Sequence, residues 1–218
     1  MKPTILITRS KYDDAMEYLF HYSEEIIKTA EGKNFKVLDL CRPRLTKENF
    51  TAMIKTNNPS LVVFNAHGTQ SQILGDKMGG SEEVLIEENK NHNLLDSRIV
   101  YARSCWSAKS LGKSCKDGCF IGYNVPFIFL VEQEHSATPL KDKTAKTIIE
   151  PSNLVVISLI KGNDAQDSVK KSKALSKKTM LKLLDMNNEQ ETSAIITCLW
   201  SNMEGLEIIG DENMKIEQ

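Results

Sequence analysis

"IVYARSCWSAKSLG", residues 99–112, is the stretch on which the reading of this chain turns. Ile99 to Ala102 form a short apolar run of the kind that builds a buried strand. The run stops at Arg103-Ser104 and a cysteine follows at once. Trp106, Ser107 and Ala108 then lead into a segment patterned as a helix over about 107–116. A thiol at such a junction is either a small buried side chain or a nucleophile. What emerges beside it decides between the two.

Working outward, "TILIT" (4–8), "FKVLDL" (35–40), "LVVFNA" (61–66), "CFIGY" (119–123) and "LEIIG" (206–210) read as further strands. Between the first two, Ala15, Leu19, Tyr22, Ile26 and Ala30 recur every three or four positions, which predicts a helix over 12–31 ended by Gly32. "LTKENFTAMIKTNN" predicts another, with Thr46 as N-cap and Phe50, Met53 and Ile54 on one face. From about residue 140 the pattern is mostly helical. "LKDKTAKTII" comes first, then "SNLVVISLIKG" with Ser152 as a cap after Pro151, then 164–185, then about 189–204. Residues 69–97 are polar and glycine-containing, with one brief apolar stretch at Val84–Ile86. They read as a functional excursion with a small hairpin. Strands alternating with helices imply a single α/β domain over 1–218, a mostly parallel sheet with helices on both faces.

Bulk properties narrow the function. The chain is 40% hydrophobic and 26% charged, with a formal net charge of -1. This balance gives no reason to expect nucleic acid or an anionic membrane as partner. No apolar run approaches the roughly 20 residues of a membrane span. The N-terminus lacks the long apolar stretch of an export signal. Five irregularly spaced cysteines, Cys41, Cys105, Cys115, Cys119 and Cys198, then imply reduced thiols in a cytoplasm. Cys105, Cys115 and Cys119 do not form paired C-x-x-C units, so no metal site is expected. "LGKS" (111–114) lacks the glycine that a phosphate loop requires at position 107, which is Ser107, and no cofactor is expected. The lysines of 170–182 are spaced around a helix and read as a solvated face, with a weak basic contact to a partner left open.

The partner for the thiol stands at the end of the third strand. In "VVFNAHGTQ", His67 follows the apolar run and Gly68 follows His67. In parallel sheets, sites form at the carboxyl ends of strands. If strands three and four are neighbours, His67 and Cys105 emerge on the same edge. An imidazole and a helix start both favour the thiolate. Gly68 lets its N–H approach a substrate carbonyl, and with the Cys105 N–H it could hold an oxyanion.

"VVFNAHG" followed by "IVYARSCWSAKSLG" resembles the caspase-like cysteine peptidases: caspases, gingipains, separases and the bacterial CHAT proteases. In motif style it is closest to bacterial CHAT or gingipain-like proteases. The resemblance implies a three-layer sandwich and a Cys–His dyad. His67 would be the base or imidazolium partner, Cys105 the nucleophile and Gly68 an oxyanion donor. "TAKTIIEPSNLVVISLIKGNDAQDSVKKSKAL" is similar to the helical stretch after the cysteine in CHAT and gingipain-like domains, and "LEIIGDENMKI" to their closing strand. That strand commonly reads Gly-Asp-Pro, whereas here Gly210-Asp211 is followed by Glu212. Caspases carry Arg-Gly just after the cysteine. This chain has Trp106-Ser107, closer to CHAT proteases, which speaks against aspartate specificity. A preference for Arg or Lys would need an acid in the S1 pocket, for which Asp76, Glu132 and Glu134 are candidates. Trp106 is placed either to wall the substrate cleft or to pack in the core.

The expectation is a cysteine endopeptidase acting on a protein or peptide substrate. Residues 69–97 and 124–139 would order only when substrate or an activating partner protein binds. Two alternatives stay open: a catalytically silent interaction module of the same fold, and a redox-sensing thiol protein.

Overall fold

The structure is a computed structural model that describes residues 2–185 and 189–217. In chain order it contains β1 (Thr4–Arg9), α1 (Asp14–Tyr22), α2 (Glu24–Gly32), β2 (Lys36–Cys41), α3 (Lys47–Asn57) and β3 (Leu61–Asn65). There follow β4 (Gln72–Met78), β5 (Ser81–Glu87), β6 (Ile99–Arg103), α4 (Leu111–Ser114) and β7 (Cys119–Tyr123). The chain continues with α5 (Lys143–Ile160), α6 (Ala165–Leu184), α7 (Glu189–Gly205) and β8 (Leu206–Gly210).

Six strands form one sheet in the order β2-β1-β3-β6-β7-β8. All neighbours run parallel except β8, which is antiparallel to β7. β1, β3 and β6 are buried along their whole length, which is why they read as unbroken apolar runs. Their side chains alternate between two cores. Ile5, Ile7, Val63, Ile99 and Tyr101 join residues of α1, α2, α5 and α6 on one face. Leu6, Val62, Phe64, Val100 and Ala102 join α3 and the β4–β5 hairpin on the other. Helix α7 packs with α5 and α6 through Ile148, Met180, Leu199 and Met203. The expected three layers, helices around a mostly parallel sheet, are present.

Three local expectations are corrected. The helix expected over 12–31 is two helices joined at Ser23, whose hydroxyl donates to the Phe20 carbonyl at 2.8 Å. Pro151 does not separate a pair of helices but lies inside α5. Burial of Ile148, Ile149, Val155 and Val156 carries that helix across the missing N–H. The helix expected at 107–116 shrinks to the single turn of α4. Residues 105–110 spend their backbone elsewhere. Trp106 N–H donates to Val125 O at 3.1 Å and Ala108 N–H to Tyr123 O at 3.0 Å. The end of β7 and the segment after it therefore capture the donors that a helix would have used. The expected hairpin in the 69–97 excursion is present as β4–β5, an antiparallel pair outside the main sheet.

Candidate active site

Strands β3 and β6 are neighbours, paired in register from Leu61↔Ile99 to Asn65↔Arg103. Ala66 N–H donates to Arg103 O at 3.2 Å and extends the ladder by one bond. His67 and Cys105 then stand two residues past the same paired position. They leave adjacent parallel strands, whose axes lie about 4.8 Å apart, from the carboxyl edge of the sheet. Both are partly exposed.

The His67 ring is turned toward a residue the sequence did not single out. Its Nε2 lies 2.8 Å from Asp13 Oδ2, with both side chains a little over a third exposed. The other carboxylate oxygen, Asp13 Oδ1, accepts the Met16 N–H at 2.8 Å and caps α1. One carboxylate thus orients the imidazole and starts the first helix. An acid just before an apolar-periodic run is a cap signal. Nothing in the chain pattern links that acid to a histidine 54 residues later. The Tyr12 ring, 6.0 Å from the His67 ring, stands beside it, and its hydroxyl donates to Glu82 on the hairpin.

Cys105 is half-buried. Its Sγ lies 4.0 Å from the Phe127 carbonyl oxygen, a contact made by the extended segment after β7. Burial pushes the thiol up from its ordinary pKa, opposed to a lesser degree by backbone contacts at Phe127 and at Cys105 itself. The helix start expected directly after the sulfur is displaced, since α4 begins only at Leu111 and runs four residues. Among the described residues no hydrogen bond joins Sγ to the His67 ring. Catalytic hydrogen bonds are often long before substrate binds. Trp106 follows with φ +54, a left-handed conformation that costs a bulky residue roughly 1 kcal/mol or more. Its side chain is 37% exposed.

Gly68 touches the other loop. A Cβ built on it would lie 2.0 Å from Ser104 Oγ and 2.7 Å from the Gln72 carbonyl. Only a residue without a side chain lets the two strand ends come this close. Among the described residues, the N–H groups of Gly68 and Cys105 donate to no other backbone carbonyl. Below the rim, Arg103 is fully buried, and Asn153 Oδ1 accepts from its Nη2. Its Nε and Nη1, like Ser104 Oγ, have no hydrogen-bond partner among the described residues.

The three acids expected near an S1 pocket have separate fates. Asp76 is no exposed loop acid: it is buried, accepts the Lys77 N–H at 2.9 Å, and has Arg42 Nε 3.6 Å away. Glu132 caps the region of α5, accepting from Thr144 Oγ1 at 2.6 Å. Glu134 is 79% exposed and lies 3.7 Å from His135. None of the three bonds to His67 or Cys105. Glu132, Glu134 and His135 do bring three ligand atoms within 4.8 Å of one another, but Glu132 is already engaged by Thr144.

The six-stranded, mostly parallel sheet with helices on both faces is shared by solved structures. No family model matches the sequence, and no curated protein matches it. The crystal structure of the Arg-specific cysteine proteinase gingipain R matches with a TM-score of 0.54 at 10% identity, over 98% of this chain and 47% of that one. The complex of the Porphyromonas gingivalis RgpB pro- and mature domains matches with a TM-score of 0.52 at 9% identity, over 98% of this chain and 48% of that one. The chain thus spans about half the length of these structures. It has the caspase-like fold, a three-layer sandwich around a mostly parallel sheet. Among the described residues no helix is long and apolar enough to cross a membrane.

Proposed function

We propose that this chain is a cysteine endopeptidase working through Cys105 and His67. The observation that carries the reading is their matching position past the Asn65↔Arg103 pair on adjacent parallel strands. With Nε2–H given to Asp13, Nδ1 is the ring nitrogen free to take a proton. On substrate arrival the Cys105 proton passes to Nδ1, and Sγ attacks the peptide carbonyl carbon. The Gly68 and Cys105 N–H groups receive the developing oxyanion. Collapse breaks the C–N bond, the imidazolium protonates the leaving amine, and a thioester remains. Water, deprotonated by His67, then releases the acid and regenerates the thiol. The Asp13 carboxylate stabilises the imidazolium that forms in each half-reaction.

The Trp106-Ser107 pair after the cysteine puts the chain nearest to CHAT and gingipain-like peptidases in motif style. All five cysteines are free thiols, which fits a reducing cytoplasm. The substrate is an extended segment of another protein, with Trp106 as one wall of the cleft.

One observation favours the second reading, a silent interaction module: the thiol is half-buried and its ionisation disfavoured. A peptidyl acyloxymethyl ketone separates the two. Labelling of Cys105 in the wild type, lost in Cys105→Ala and strongly slowed in His67→Ala, supports the peptidase. No labelling, or labelling indifferent to His67, overturns it.

A further inference from the structure

Helix α6 spends its apolar side inside the domain and presents a different surface outside. Ala165, Val169 and Met180 are buried, together with Ser168, Ser172 and Ser176. The small serines let α6 lie close on α5, and Ser172 Oγ donates to Pro151 O at 2.6 Å. Opposite them, the same 20-residue helix carries six lysines, Lys170, Lys171, Lys173, Lys177, Lys178 and Lys182. Five are exposed and Lys173 is half-buried. The helix offers them one carboxylate, Asp167, on a chain whose formal net charge is only -1. Among the described residues none of the six forms an ion pair. Lys171 alone has a polar partner, the Asn163 side chain.

The lysines are ordered. At about 100° per residue, Lys170, Lys173 and Lys177 line one side of the outer face, and Lys171, Lys178 and Lys182 the other. Asp167, Ala174 and Leu181, each seven residues from the next, run between the rows, and Leu184 falls on the side of the Lys173 and Lys177 row at the helix end. Leu181 is 65% exposed and Leu184 66%, among the largest exposures of apolar side chains in the molecule. In its C-terminal half the outer face thus sets exposed apolar side chains among one sign of charge, the complement of a second helix with apolar residues on one face and carboxylates beside them.

We infer that the outer face of α6 is a docking surface for an acidic amphipathic helix of another protein. Charge complementarity draws the partner in and sets its register, while Leu181 and Leu184 supply the desolvated contact. Other anionic partners fit less of the surface. Nucleic-acid phosphates would pair with the lysines and leave both leucines without a contact. A helix that settles on a membrane buries its whole apolar face there, and α6 has already buried that face against α5. The surface is remote from the catalytic reading and does not depend on it.

The test uses the full chain and a fluorescein-labelled 21-residue peptide of three heptads, with Leu in the seam and Glu at the flanking positions. The peptide's Gln-for-Glu version, a 20-base-pair duplex and phosphatidylserine vesicles are run alongside by anisotropy or sedimentation. The inference expects saturable binding of the Glu peptide, weaker binding of the Gln version, and affinity that falls as salt rises. The triple variant Lys170→Glu, Lys173→Glu, Lys177→Glu weakens it roughly tenfold or more. Leu181→Ser with Leu184→Ser weakens it without altering the salt slope. Circular dichroism confirms that each variant is folded, and Cys105→Ala binds as the wild type does. Equal binding of Glu and Gln peptides, indifference to the charge reversals, or tighter binding to duplex or vesicles than to the peptide overturns the inference.

Discussion

Replacing Gly68 by alanine is a sharp perturbation of the rim, because its consequence can be worked from two distances. The added methyl would meet Ser104 Oγ at 2.0 Å and Gln72 O at 2.7 Å. The hydroxyl can turn away, since it has no partner to lose among the described residues. The carbonyl cannot, because it is backbone and accepts Thr69 N–H at 2.9 Å. A relaxed C···O contact is about 3.3 Å, so the loop carrying His67 and the Gly68 N–H must recede by roughly 0.6 Å. A displacement of 1 Å at a reacting centre costs roughly 100-fold. The rate of Cys105 labelling by a peptidyl acyloxymethyl ketone should therefore fall about 10- to 100-fold. Overpacking should lower stability by about 1–3 kcal/mol in urea denaturation. Adding Ser104→Ala removes the closer clash and should restore some of both losses. Wild-type labelling and wild-type stability in Gly68→Ala would refute the claim that this glycine sets the spacing of the rim.

Asp13→Asn keeps an oxygen for the α1 cap but removes the charge facing His67. Labelling should drop while stability stays near wild type, whereas Asp13→Ala should also lose about 1 kcal/mol from the lost cap. Because burial raises the Cys105 pKa, labelling at fixed probe concentration should climb with pH from 6 through 9 and not level off near neutrality. Burial also pushes Cys115 and Cys119 up to about 12. The folded state holds these protons after the unfolded chain has lost them, near pH 8.5. Their contribution to stability is therefore full below that pH and is lost as pH rises toward 12. The slope is about 1.4 kcal/mol per unit for each thiol. Urea melts at pH 8 and 10 should show the drop, and Cys119→Ala should make it shallower. Asn202 holds both backbone groups of Ile128, at 3.0 Å from its N–H and 2.7 Å from its carbonyl. Asn202→Ala should free the segment over Cys105, speed its alkylation by iodoacetamide, and cost about 1–2 kcal/mol of stability.

How much of this was legible in the sequence depended on burial. β1, β3 and β6 are covered on both faces, so their apolar runs announced them, and the order of runs gave the layers. His67 and Cys105 could be read as a pair because each closely follows such a run. Asp13 could not, since the fold alone brings the start of α1 to the end of β3. The short α4 was misread for a related reason. Residues 107–110 have helical composition, but Val125 and Tyr123 of the next crossing take the N–H groups of Trp106 and Ala108. Arg103 read only as the place where the apolar run stops, and it lies fully buried against Asn153 of α5. Pro151 looked like a boundary, yet packing on α6 holds the helix together around it. In each case a contact distant along the chain outweighed a local preference.

Whether this rim breaks peptide bonds is answered most directly by digesting a diverse peptide library and reading the new termini by mass spectrometry. With Cys105 and His67 acting together, the wild-type chain generates a set of termini with a common sequence preference, and both Cys105→Ala and His67→Ala generate none. Identical termini from Cys105→Ala, or an undigested library under conditions where the thiol is alkylated normally, would contradict that account.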